Sequence, residues 1–106
     1  MKDFWLKYIE HRVKSTINGL DLDIKVNTNH VICEPLDLGN GLRLPDYYKM
    51  YIIYTEKGSS RIYEHIAVFK LNENYNFDII SAMIILSFLN DKGLVTQDDN
   101  GHITIG

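Results

Sequence analysis

The chain has 106 residues, 45% of them hydrophobic and 24% charged, with a formal net charge of -3. That length supports a single α+β domain, 1–106, with one core. The acid excess argues against a bulk binder of phosphate backbone, whose affinity comes from Lys and Arg displacing counterions. Cys33 is the only cysteine, which excludes an intramolecular disulfide. Met1 to Trp5 opens no long apolar stretch of the secretory kind, so a reducing, cytoplasmic location is expected. The apolar run 79–89 is too short for a bilayer span of roughly 20 residues, so no membrane partner is expected.

Asp3 to Ile17 reads as an amphipathic helix. Trp5, Ile9, Val13 and Ile17 fall at i+4 steps, with Phe4 and Tyr8 beside them. Asp3 is a candidate N-cap, Asn18-Gly19 a candidate stop, and Asp3/Lys7 and Glu10/Lys14 are spaced to pair on the wet side. Leu20 to Asn27 alternates, with Leu22, Ile24 and Val26 on one face, as a half-buried strand does. Asn27 to His30 is turn-like. Val31 to Leu38 is a second strand, where Pro35 belongs on an edge or at a bulge because it has no N–H. Gly39 to Asp46 reads as a loop.

Tyr47 to Glu56 and Arg61 to Leu71 are strands rich in Tyr, Ile, Val and Phe, joined by Lys57 to Ser60 into an antiparallel hairpin. Tyr47, Tyr51 and Ile53 share one face of the first; Tyr48, Met50, Ile52 and Tyr54 share the other. After 72–76 comes Phe77 to Leu89, a helix apolar nearly all round, capped by Asn76 and stopped by Gly93. Such a helix needs cover on more than one side. Leu94 to Ile105 is a hairpin, for which Asn100-Gly101 predicts a type I′ turn with Val95, Ile103 and Ile105 inward. The expected architecture is an N-terminal helix, a four-stranded mainly antiparallel sheet, a buried apolar second helix and a C-terminal β-hairpin.

Phe88-Leu89-Asn90-Asp91-Lys92-Gly93-Leu94-Val95 and Asp98-Asp99-Asn100-Gly101-His102-Ile103 resemble the last helix and wing of a winged-helix domain. The resemblance implies a nucleic-acid-associated regulator that uses the terminal hairpin. The helix body is apolar where a recognition helix presents polar and basic residues. The wing carries Asp98 and Asp99 where phosphate contact calls for Lys or Arg.

Catalytic and cofactor signals are weak. His30, Cys33 and Glu34 lie close together, but metal ligation needs several donors at one point and there is no second cluster. Cys33 with His30 or His65 lacks any local nucleophile signature, and its alternation with Val31 suits a buried structural cysteine. His65 shares a face with Tyr63, Ala67 and Phe69, either at the core edge or lining a shallow pocket. Glu64 points the other way. Gly39-Asn40-Gly41 lacks the following Lys-Ser or Lys-Thr of a phosphate loop. No catalytic, cofactor or metal residue is therefore assigned.

What remains is an apolar and tyrosine-rich surplus. Leu42, Arg43 and Leu44 on the loop, with Tyr47 and Tyr51 on the strand, have the apolar, Arg and aromatic content of interface hot regions. The expectation is a small non-enzymatic protein that binds a protein partner or pairs as a homodimer. Inhibitor or immunity-type proteins from phage or mobile elements are one class of that kind. The alternatives are the nucleic-acid regulator and a small-ligand-binding domain or enzyme with a pocket near His65. Nucleic acid is not the expected main ligand.

Overall fold

Residues at i+4 spacing line the inward side of α1 (Lys2–Gly19): Ile9, Val13 and Ile17 are fully or almost fully buried, and Trp5 is half-buried. The computed structural model describes residues 2–71, 74 and 76–106, without the side chain of residue 2. Asp3 lies inside the first turn of α1 and is not its N-cap. A lost cap costs about 1 kcal/mol, whereas each buried Ile or Val returns about 2 kcal/mol, so packing decides where this helix forms.

Three strands follow as an antiparallel meander, β1 (Val26–Gly39), β2 (Leu42–Glu56) and β3 (Ile62–Lys70), in the order β1-β2-β3. Met50, Ile52 and Tyr54 of β2 and Ala67 and Phe69 of β3 point to the inner face, where both helices contribute to the core. α2 (Phe77–Asp91) starts where the Asn76 side chain accepts from the N–H groups of Asp78 and Ile79. It ends in a Schellman motif: Leu94 N–H donates to Leu89 O, Gly93 N–H donates to Asn90 O, and Gly93 takes φ +73°. A short hairpin, β4 (Val95–Gln97) and β5 (Ile103–Ile105), closes the described chain as a second sheet.

The fold is α+β with antiparallel sheets, but as a three-stranded sheet plus a separate two-stranded one, not a four-stranded sheet. Leu20 to Lys25 makes no strand. Leu22 packs on the core but Ile24 is exposed, and β2 ends at Glu56 opposite Val26, with only Lys57 N–H reaching further, to Lys25 O. Asp23 N–H donates instead to the Gly106 carbonyl. Asn27 to His30 is not a turn either; it runs through β1, with a register shift between Thr28 and His30. Pro35 lies, as expected, on an edge strand and beside a second register shift.

The Asn-Gly signal acts at the other hairpin. Gly39 pairs with Leu42, and Asn40 (φ +53°) and Gly41 (φ +76°) form the two-residue tip, with the positive φ at both positions that a type I′ turn requires. Most of the expected loop 39–46 is therefore strand. At Asn100-Gly101 only Gly101 has positive φ, +85°. There the Asp98 carboxylate accepts from Asn100 N–H and His102 N–H, and Gly101 N–H donates to Asp98 O. That side-chain acceptor favours a three-residue loop with glycine in the left-handed position. Ile103 and Ile105 are 53% and 41% exposed, not inward, and Val95 is half-buried.

Phe88 joins helix to sheet. It is fully buried, edge-on to Tyr54 at 5.0 Å and to His65 at 5.4 Å. At the start of the same helix Phe77 stacks on Trp5 at 4.0 Å, and Asp78 accepts from the Tyr8 hydroxyl at 2.8 Å. At its end Lys92 pairs with Glu56, with its ammonium over the Tyr54 and Tyr63 rings. Phe88→Ala is expected to cost about 3–5 kcal/mol in urea unfolding, whereas Met83→Ala, on the exposed side of the same helix, costs under about 1 kcal/mol. Equal losses at both positions would contradict this placement of the core.

Candidate functional site

With both helices on the inner face, the outer face of the β1–β3 sheet carries no helix among the described residues. Its side chains come from alternate positions, fixed by register. Ile32, Tyr51 and Ile66 line up across the three strands, and Glu34, Lys49 and Val68 form the next row. Ile66 is 49% exposed and Val68 57% exposed. This is an apolar row beside a charged one, on the side of the sheet that the core leaves uncovered.

Polar contacts hold the central aromatic. The Tyr51 hydroxyl donates to Glu34 Oε1 at 3.0 Å, Lys49 Nζ lies 3.5 Å from the same oxygen, and that ammonium sits 5.2 Å from the Tyr51 ring centroid. Contact with Tyr51, and then the Glu34 carboxylate, hold the Lys49 pKa above its ordinary value despite some burial. Lys49 therefore stays a cation through the neutral range. The ring is fixed on two sides, so little rotamer freedom remains to be lost when a partner packs on it.

The five residues singled out from sequence do not converge. Tyr51 sits in the middle of the sheet. Tyr47 is half-buried at its end, with Lys70 Nζ 5.7 Å from its ring. Leu42, 65% exposed, and the exposed Arg43 lie at the β1–β2 tip, with Leu44 half-buried beside them. Leu42 and Tyr51 are nine residues apart on β2, about 30 Å along an extended strand. The structure instead groups Tyr51 with Ile32, Ile66, Glu34 and Lys49. Of these, Ile66 and Val68 carry a readable signal: they occupy alternate positions opposite Ala67 and Phe69.

Glu10 was misplaced by its helical spacing. It is buried, and it pairs with Lys7 at 3.3 Å instead of Lys14. Its Oε2 accepts from Cys33 N–H at 2.8 Å. Asn18 acts similarly: its Oδ1 accepts from Thr28 N–H at 2.7 Å and its Nδ2 donates to Thr28 O at 3.3 Å. Both contacts cap backbone groups on the outer edge of β1. No helical periodicity reveals them, because each joins residues on different elements.

The chemistry-bearing side chains are scattered. Cys33 lies toward the inner face and His30 toward the outer one, opposite Ile53. Burial first, and then the Glu10 carboxylate, push the Cys33 thiol well above its ordinary pKa, so it is a protonated thiol at neutral pH. His65 sits at the core edge, its Nδ1 3.3 Å from Asp91 Oδ2. Among the described residues its buried Nε2 has no hydrogen-bond partner, and no group of three His, Cys, Asp or Glu is placed to hold a metal ion. A groove of about 430 Å³ opens between β3 and α2, lined by Ile66, Val68, Lys70, Ile80 and Met83 among others, but not by His65. None of the helices among the described residues is long and apolar enough to cross a membrane.

Compared with known proteins, the chain matches no family model, and no curated protein or solved structure is significantly similar to it.

The Cys33 environment makes a direct prediction. Alkylation of the native protein near pH 8 is expected to run at least about tenfold slower than alkylation of the urea-unfolded chain. Glu10→Gln removes the adjacent carboxylate and is expected to narrow that gap. Equal native and unfolded rates would mean an open, reactive thiol.

Proposed function

We propose that this chain is a small non-enzymatic protein that works by binding another protein, in the manner of an inhibitor or immunity-type protein, in the cytoplasm. The observation that carries the reading is the outer sheet face. Ile32, Tyr51 and Ile66 form a row across all three strands, and Glu34 and Lys49 beside Tyr51 offer a fixed carboxylate and a fixed ammonium. An aromatic anchor with flanking charges is how interfaces concentrate their energy. Leu42, Arg43 and Leu44 at the β1–β2 tip extend the candidate surface along β2, with Tyr47 at the sheet's end.

The nucleic-acid reading has less support. The chain carries 14 acidic and 11 basic residues. The hairpin uses Asp98 to cap its own turn, and His102 lies 3.3 Å from the same carboxylate. α2 has buried Ile80, Ile84, Ile85, Phe88 and Leu89 in the core, so its body has no basic face to lay in a groove.

The test uses the tagged full chain in an extract of its native host, with Tyr51→Asp and Leu42→Asp as comparisons. The wild type is expected to retain one protein stoichiometrically. Tyr51→Asp is expected to weaken retention at least about tenfold with its thermal unfolding unchanged, as loss of an interface anchor does. Retention by Tyr51→Asp at the wild-type level would remove the sheet face from consideration. Tight, steeply salt-dependent binding to duplex DNA in an anisotropy titration would overturn the protein-binding reading itself.

A further inference from the structure

A three-stranded sheet has two edges, and this one treats them differently. The outward backbone groups of β1 are clipped at several points. Thr28 is clipped by Asn18, Cys33 N–H by Glu10, and Pro35 has no N–H. A register shift between Thr28 and His30 further breaks the edge.

β3 has no such protection. Leu71 N–H donates to Asp46 O at 2.7 Å, which sets the phase of the ladder. Odd-numbered residues of β3 aim their peptide groups at β2, and Glu64, Ile66, Val68 and Lys70 aim theirs outward. Among the described residues no side chain or backbone group bonds to the outward peptide groups of Glu64, Ile66 or Val68. The strand runs unbroken in register over nine residues, without bulge or proline. The groove of about 430 Å³ between β3 and α2 lies alongside, and the exposed Met83 lines it.

We propose that this edge pairs with the β3 edge of a second copy of the chain, antiparallel and centred on Ala67, to make one continuous six-stranded sheet. This rests on the reading that the protein works by association, and it names a second copy as one occupant. The edge is self-complementary. The outward positions read Glu64, Ile66, Val68, Lys70. Centred on Ala67, Glu64 faces Lys70 of the second copy, Ile66 faces Val68, and two-fold symmetry repeats both pairs. These are also the residues whose N–H and C=O groups point outward, so the same register makes the backbone hydrogen bonds.

Other registers fail. Slipping by two residues, the smallest slip that keeps outward groups facing, sets Glu64 against Val68, or Lys70 against Ile66. A larger slip brings Glu64 against Glu64. On the inner face Ala67 meets Ala67 at the close spacing of a non-hydrogen-bonded pair, which a methyl group tolerates. The two-fold axis also puts the two Met83-lined grooves on the same side of the joined sheet.

The test is the solution mass of the purified full chain by sedimentation at micromolar concentration. The wild type is expected at twice the 12.3 kDa chain mass. Glu64→Lys sets like charges across the seam and is expected to weaken pairing at least about tenfold. The charge swap Glu64→Lys with Lys70→Glu restores the pairs and is expected to recover the wild-type dissociation constant within a few-fold. Val68→Pro deletes an outward N–H on an edge strand and is expected to give a monomer, with circular dichroism reporting the fold. A wild-type monomer overturns the pairing, even if it still captures a different protein on the outer face, which leaves the association reading standing. A dimer indifferent to all three variants overturns the pairing too, because the contact then lies elsewhere.

Discussion

Every peptide group at the border of a sheet needs a partner or water, and that requirement organises this molecule. The helix α1 answers it at two points of β1. Asn18 offers an amide that both accepts from and donates to Thr28, and Glu10 reaches the Cys33 N–H from beneath. Those contacts hold α1 along the β1 side of the inner face. Ile9, Val13 and Ile17 then meet the core at a fixed angle, and the space left beside them is the space that α2 fills. Replacing either clip by an apolar residue would leave a part-buried peptide group unpaired, at a cost of about 1 kcal/mol.

With α1 committed to one border, α2 is left to cover the rest of the inner face. It does so with Ile80, Ile84, Ile85, Phe88 and Leu89, anchored by Asn76 at its start and by Lys92 on Glu56, Tyr54 and Tyr63 at its end. Two helices are enough for one face of a three-stranded sheet, but not for its second border or its second face. The exposed Ile79 and Met83, the Ile32–Tyr51–Ile66 row and the outward backbone of β3 are what this arrangement leaves uncovered. Of these, Ile66 and Met83 meet beside the β3 edge, where both line the groove between β3 and α2.

Much of this was legible in the sequence. The i+4 spacing of α1, the Asn76 cap, the Gly93 stop, the β2–β3 hairpin and the two faces of β2 all follow from local chemistry that tertiary contacts then reinforced. The misreadings share a cause. Leu20 to Lys25 has the alternation of a strand but no neighbouring strand to pair with, and pairing is a non-local fact. Asn40-Gly41 and Asn100-Gly101 are the same dipeptide, yet the Asp98 carboxylate accepts from Asn100 N–H within the second turn and His102 N–H after it, and converts it. Glu10 has the spacing of a surface ion pair and instead serves a strand 23 residues away. Of the candidate surface, Tyr47 and Tyr51 could be named from composition. Their separation from Leu42, and the grouping of Tyr51 with Ile32 and Ile66, depend on strand register across three strands.

α1 clips the β1 border at Thr28 and Cys33, and among the described residues nothing bonds to the outward peptide groups of Glu64, Ile66 and Val68 on the β3 border. Residue-resolved amide hydrogen exchange, followed across a dilution series, reads both borders at once. The Thr28 and Cys33 amides are expected to be protected at every concentration, and the Ile66 and Val68 amides only where the chain is self-associated, exchanging rapidly on dilution. Fast exchange at Thr28 and Cys33, or protection of Ile66 and Val68 that does not change with concentration, would contradict that expectation.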